Sequence, residues 1–179
     1  MANIPNSLEA LAIALRTEEE GYKLYKSGAD QSKNDLVKKI FQQLFKDELM
    51  HMDLIKRFYG VLNESGGWSK LSAEEKNYKG LAGEIKTIFT EALEQMKAGK
   101  SEVSNKDLEV YQKAIEFEKN GVQMYSKMYA ENSDEKAKKF FAFLRDMEQE
   151  HADVLDNTYQ YLKDPDNWYL QQEGWTLDH

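Results

Sequence analysis

The sequence predicts an all-α protein, a four-helix bundle made of two repeated helical hairpins joined by a long, partly helical crossover. Three observations carry that prediction. Pro5 and Pro165 are the only prolines in 179 residues, so positions 6–164 contain no helix breaker of that kind. Leu, Ala, Glu, Lys, Gln and Met, all good helix formers, are plentiful. Finally, positions 7–62 recur at 107–162 without a gap, with 15 of the 56 positions identical. Apolar helix positions share some identity by chance because they draw on few residue types. The pairs Glu18/Glu118, Gly21/Gly121, Tyr25/Tyr125, Glu48/Glu148 and His51/His151 are not explained that way.

Each repeat reads as a helical hairpin. Asn6, with Glu9 three residues on, resembles a capping box that opens helix one, which runs to about Asp30. Ser32 or Asn34 can cap helix two, which continues to about Leu62 and stops before "NESGG". Ser104 or Asn105 opens helix three, to about Glu131, and Ser133 or Asp134 opens helix four, which ends before "DPDNW". Helices of roughly 25–30 residues span about 40 Å. Between the hairpins, "LAGEIKTIFTEALEQMKAG" forms a further helical segment with an apolar stripe of Leu81, Ile85, Ile88, Phe89 and Leu93. Short, long and short connections describe a bundle with one crossover. The chain therefore divides into repeat one (7–62), crossover (63–103), repeat two (104–163) and tail (164–179), all in one domain.

A formal net charge of −8 argues against a nucleic-acid partner or an anionic membrane surface. No window approaches the ~18–20 apolar residues of a membrane span. The opening "MANIPNSLEALAIALRTEEE" lacks the basic segment and apolar stretch of a secretory signal, so a cytoplasmic location is expected. The absence of cysteine rules out an all-cysteine zinc or iron site, a disulfide framework and a cysteine nucleophile.

The chemistry sits where the apolar stripes turn polar. In helix four, Phe141, Leu144, Leu155 and Leu162 mark the buried face, and Glu148 and His151 lie on it one turn apart. Helix two repeats the arrangement with Glu48 and His51 among Phe41, Leu44, Ile55, Phe58 and Leu62. Helices one and three place Glu18 and Glu118 on faces shared with Ala14, Gly21 and Tyr25, and with Ala114, Gly121 and Tyr125. Four carboxylates in a dry core are very unfavourable alone, since a buried unpaired charge costs several kcal/mol. Two divalent cations would cancel the four charges and leave two neutral imidazoles as nitrogen ligands. Such a mixed donor set suits iron or manganese, and zinc could also bind.

Single elements of this pattern are ordinary. A lone Glu-x-x-His on a helix seldom binds metal, and a Glu within "EEE" is usually solvated. Two Glu-x-x-His pairs, each thirty residues after a helical Glu in the same repeat frame, are far more specific. Two of the three histidines occupy these positions, and the third, His179, is a terminal residue of no consequence. Gly21 and Gly121 leave space one turn from the Glu18 and Glu118 carboxylates. Tyr25 and Tyr125 could place a phenol near the site, although core packing with a satisfied hydroxyl would explain them equally well. Met50, Met52, Met124, Met128 and Met147 read as core filler.

With those residues in hand, the chain resembles the rubrerythrins of the ferritin-like di-iron carboxylate superfamily, as an erythrin domain without a rubredoxin domain. The resemblance covers both hairpins and extends to the tail "DPDNWYLQQEGWTLDH". It implies that Glu18 and Glu118 are terminal ligands, that Glu48 and Glu148 bridge two metals, and that His51 and His151 bind one metal each. The implied cofactor is a pair of iron ions that reacts with hydrogen peroxide or dioxygen; Tyr25 and Tyr125, from their place two turns along from Glu18 and Glu118, are the candidate catalytic residues. Two features depart from the family. Without cysteine, the chain needs electrons from a separate, rubredoxin-like donor. Gly121 stands where rubrerythrins tend to carry a further Glu that takes part in a redox-linked metal shift. Peroxide or dioxygen reduction is the leading reading; ferritin-like iron oxidation and storage, or non-catalytic metal binding, are the alternatives. The resemblance also implies a homodimer, and exchange of a hairpin between chains is conceivable because each repeat forms half a site.

Overall fold

The computed structural model describes residues 4–65 and 103–168, together with positions 87, 88, 90, 91 and 94. Four long helices account for almost all of them: α1 (Ile4–Gln31), α2 (Asp35–Ser65), α3 (Asn105–Glu131) and α4 (Glu135–Lys163), with no strand among the described residues. Helices α1 and α2 pack along each other, as do α3 and α4, and the hairpins also meet through α1 and α3. The protein is the four-helix bundle that the repeat predicts.

Local chemistry explains where the helices begin. In the three-residue turn between α1 and α2, Asn34 Oδ1 accepts the Val37 N–H at 3.1 Å, and Ser32 Oγ accepts the Asn34 N–H at 3.1 Å. Both candidate residues are therefore used, with Asn34 as the cap. Ser104 caps α3 in a full capping box, its hydroxyl accepting from the Asp107 N–H while the Asp107 carboxylate accepts from the Ser104 N–H. Asp134 caps α4, taking the N–H groups of Lys136 and Ala137.

Three boundaries differ from the sequence reading. Helix α1 starts at Ile4, so Asn6 lies within it rather than capping it. Pro5 then falls in the first turn, where its missing N–H removes nothing the helix would use. Helix α2 runs on to Ser65, past Leu62. Residues 165–168, read as tail, form another helical turn after the break at Asp164. Asp164 closes α4 and opens that turn: its N–H donates to Gln160 O, and its Oδ1 accepts the Asn167 N–H at 3.1 Å. Trp168 then docks on α4, with Nε1 donating to Asn157 Oδ1 at 3.0 Å and its ring edge-on to Tyr161.

Two apolar clusters fill the bundle. One surrounds Tyr25, Phe41, Leu44 and Tyr111 near the α1–α2 turn, and the other surrounds Leu11, Phe58, Phe140 and Phe141 toward the opposite end. Ring stacks join the hairpins across the interior, with centroids 4.8 Å apart for Phe41 and Tyr111 and 4.0 Å apart for Phe58 and Phe140. The polar positions 18, 48, 51, 118, 148 and 151 lie between these clusters. Of the predicted crossover stripe, Leu81, Ile85, Phe89 and Leu93 lie outside the described residues, as do positions 169–179. Ile88 is helical and packs, partly buried, against the Phe41 cluster. Among the described residues no helix is long and apolar enough to cross a membrane.

Glycine substitutions test this packing with opposite signs. A Cβ on Gly28 would sit 2.5 Å from Phe41 Cδ2, whereas one on Gly60 meets nothing within 4 Å. Gly28→Ala should therefore destabilise by about 1–3 kcal/mol through overpacking. Gly60→Ala should stabilise by about 0.5–1 kcal/mol through helix propensity. Chemical denaturation of the two variants measures both.

Candidate metal centre

One carboxylate from each of α1 and α3, and a Glu and a His from each of α2 and α4, converge in the middle of the bundle. All six sequence-predicted residues meet there, none more than 3 % exposed. His51 Nδ1 lies 2.8 Å from Glu18 Oε2, 3.5 Å from Glu48 Oε2 and 3.7 Å from Glu148 Oε1. His151 Nδ1 lies 3.4 Å from Glu118 Oε1 and 3.7 Å from Glu48 Oε1. The imidazoles stand face to face, with centroids 5.4 Å apart and planes 17° from parallel.

These atoms fall into two overlapping groups. Ligand atoms of Glu18, Glu48, His51 and Glu148 all lie within 4.8 Å of one another, and so do those of Glu48, Glu118, Glu148 and His151. Glu48 and Glu148 belong to both groups. Each group could hold one cation.

The tyrosines and glycines complete the arrangement by crossing between repeats. Tyr25 on α1 donates to Glu118 Oε1 on α3, and Tyr125 on α3 donates to Glu18 Oε1 on α1. Each phenol thus holds the carboxylate of the other hairpin, not that of its own helix. The space left by the glycines is taken by the carboxylates of the neighbouring helix in the same hairpin. A Cβ on Gly21 would lie 2.9 Å from Glu48 Oε1, and one on Gly121 would lie 3.3 Å from Glu148 Oε2.

A family model described as Rubrerythrin matches residues 9–159, a span that includes the six converging residues and both tyrosines. The chain belongs to the rubrerythrin family. Neither a curated protein nor a solved structure matches it.

The donor set of this rubrerythrin-family chain fits a metal pair on physical grounds. Both carboxylate oxygens of Glu48, Oε2 of Glu118, Oε1 of Glu148 and both ring nitrogens of His151 are buried and lack a hydrogen-bond partner among the described residues. Leaving so many polar atoms unsatisfied is costly, and inward-facing lone pairs are what a cation satisfies. Two divalent ions match the formal charge of four carboxylates.

Without such ions, protons must do the balancing. Burial disfavours the charged form of Glu18, but His51 and hydrogen bonds with Glu48 and Tyr125 together outweigh it and hold that carboxyl at about 2. Burial pushes Glu118 up to about 7, despite hydrogen bonds from Glu148 and Tyr25 that favour its charged form. Glu48 and Glu148 rise well above the usual carboxylate range, first through burial and then through the charges of Glu18 and Glu118. For His151, burial favours the neutral ring, but Asp47, Glu148 and Glu18 together raise its pKa. Burial and the neighbouring carboxylates push both Tyr25 and Tyr125 well up, so they remain hydrogen-bond donors.

Asp47 is a buried neighbour of the site that the sequence reading missed. Its Oδ2 lies 3.5 Å from His151 Nε2. The residue lies at the edge of the apolar stripe, three residues after Leu44 and four before His51, so helical periodicity already placed it facing inward. A second signal was the repeat itself, which places a carboxylate at 47 and a thioether at 147.

The pH dependence of the metal-free protein follows from these shifts. Glu118 binds its proton more tightly folded than unfolded, so its contribution is complete below 4.5 and is lost as pH rises through about 7. Glu48, Glu148 and His151 shift in the same direction, while the opposite contribution of Glu18 falls between 4.5 and about 2. The metal-free protein should therefore melt several degrees lower at about pH 8 than at about pH 5. Metal loading should reverse the trend, because cations bind the deprotonated ligands. Calorimetric melts of both forms across that range measure the sign.

Proposed function

We propose that the chain is a non-haem di-iron oxidoreductase that reduces hydrogen peroxide or dioxygen with electrons from a separate donor. One observation carries this reading: Glu48 turns Oε2 toward His51 and Oε1 toward His151, so a single carboxylate faces both imidazoles. That placement suits a bridge between two ions, with Glu148 as the second bridge and Glu18 and Glu118 as terminal ligands. Iron is the proposed metal, with manganese or zinc as substitutes the donor set would also accept. A bound iron pair supplies two electrons, one per ion, which is the number needed to cleave the O–O bond of peroxide.

The chain's own residues have distinct parts in this reaction. Tyr25 and Tyr125 hold the Glu118 and Glu18 carboxylates in place and keep phenolic protons beside them. Reducing hydrogen peroxide to two waters consumes two protons as well as two electrons, and the two Tyr–Glu pairs can hand over one proton each. The apolar clusters above and below the site keep bulk water out. The 179 residues contain no cysteine, so none of them can supply a four-cysteine iron centre, and the electrons must come from outside this bundle.

Anaerobic ferrous titration of the apoprotein should saturate at two irons per chain. Adding peroxide or air should then produce the near-ultraviolet absorption of an oxo-bridged ferric pair, and comparing the two rates identifies the preferred oxidant. Uptake far beyond two irons would instead indicate storage. Glu48→Ala and Glu148→Ala should each lose the pair; retention of two irons by either variant would remove that residue from its bridging role. Tyr25→Phe and Tyr125→Phe should keep both irons while slowing peroxide reduction by about 10²-fold, if each phenol donates a proton during the reaction.

A further inference from the structure

Duplication supplies two copies of each Glu, His, Gly and Tyr of the site, but not of the residue just before the Glu of each Glu-x-x-His pair. Position 47, immediately before Glu48, is Asp, whereas position 147, immediately before Glu148, is Met. Asp47 is buried on α2, and its Oδ2 lies 3.5 Å from Nε2 of His151 on α4. Neither atom has a hydrogen-bond partner among the described residues. The separation is long for a hydrogen bond, and a small tilt of either side chain would close it. Asp47 is itself tethered, since Gln43 Nε2 donates to its Oδ1 at 3.3 Å from one turn earlier on α2. On the far side of the His151 ring, Nδ1 faces Glu118 and Glu48.

An imidazole that offers Nδ1 to a cation carries its proton on Nε2, and a buried N–H requires an acceptor. We propose that Asp47 is a positioning residue: it accepts the Nε2–H of His151 and fixes the tautomer that leaves Nδ1 free for metal. This inference rests on the metal-pair reading above. A carboxylate behind a ligating imidazole fixes the ring's orientation and raises the basicity of the ligating nitrogen. Loss of such a partner typically lowers metal affinity about 10–100-fold. The position beside His151 and Glu118 has this support.

The test is anaerobic cobalt(II) titration of the apoprotein, followed by visible absorption. Proton NMR of the cobalt-loaded protein adds a second readout, because the ring N–H protons of ligating histidines give shifted signals that exchange with water. The wild type should bind two cobalt ions per chain and show two such signals. Asp47→Leu should weaken one binding step by about 10–100-fold and accelerate exchange of one N–H signal, leaving the other step and signal in place. Asp47→Asn, which keeps an acceptor oxygen without the charge, should fall between Leu and wild type. Met147→Leu should change neither readout. Equal weakening of both steps, or no change in either, would overturn the role of Asp47. Failure of the wild type to take up two cobalt ions would overturn the metal-pair reading instead. If the Leu variant does not fold, the Asn variant decides alone, since its effect must still fall on one step and one signal.

Discussion

The structure depends on balancing the charge of four carboxylates buried at one level of a helical bundle. No arrangement of apolar side chains removes that requirement. The core is therefore split into two clusters, with the polar layer between them, and the aromatic stacks Phe41–Tyr111 and Phe58–Phe140 tie the hairpins together on either side. Rigid walls above and below keep the ligand side chains converging when repulsion among them would otherwise spread the helices. In the metal-free protein, protons shared among Glu48, Glu118 and Glu148 provide the balance, while Glu18 keeps its charge against His51.

Each helix contributes something that another helix completes. Glu18 and Glu118 are held by tyrosines of the opposite hairpin. Glu48 and Glu148 reach their positions because Gly21 and Gly121, across the hairpin from them, present no side chain in their way. Close approach of backbone to carboxylate, more than backbone flexibility, is the reason for glycine at these two points. Neither hairpin contains a whole site, so folding the bundle and assembling the centre are the same event.

Much of this was legible in the sequence. A 3.6-residue stripe interrupted by Glu and His, twice, in a frame offset by one hundred, is a pattern that composition cannot imitate, and all six residues meet in the fold. The caps at Asn34, Ser104 and Asp134 were readable because short polar side chains before a periodic run have few other roles. Features that depend on which helix faces which were not readable. The crossed pairing of Tyr25 with Glu118 requires α1 to lie beside α3, and the periodicity of one helix contains nothing about its neighbour. Asp47 lies three residues after Leu44 and four before His51, so its inward direction was readable, whereas its approach to His151 depends on how α2 meets α4. The early start of α1 reflects a proline that favours a first turn as readily as it breaks a later one.

The difference between positions 47 and 147 also bears on how such a site can change. Two identical hairpins, paired as separate copies, would carry the same residue at both points, and every substitution would strike both halves at once. A single chain that holds both copies escapes this constraint. One half can carry Asp at position 47 while the other carries Met at position 147, and the two halves become free to specialise. In that sense the long connection between the hairpins does more than shorten the search for a partner, because it permits a centre whose two sides are not mirror images.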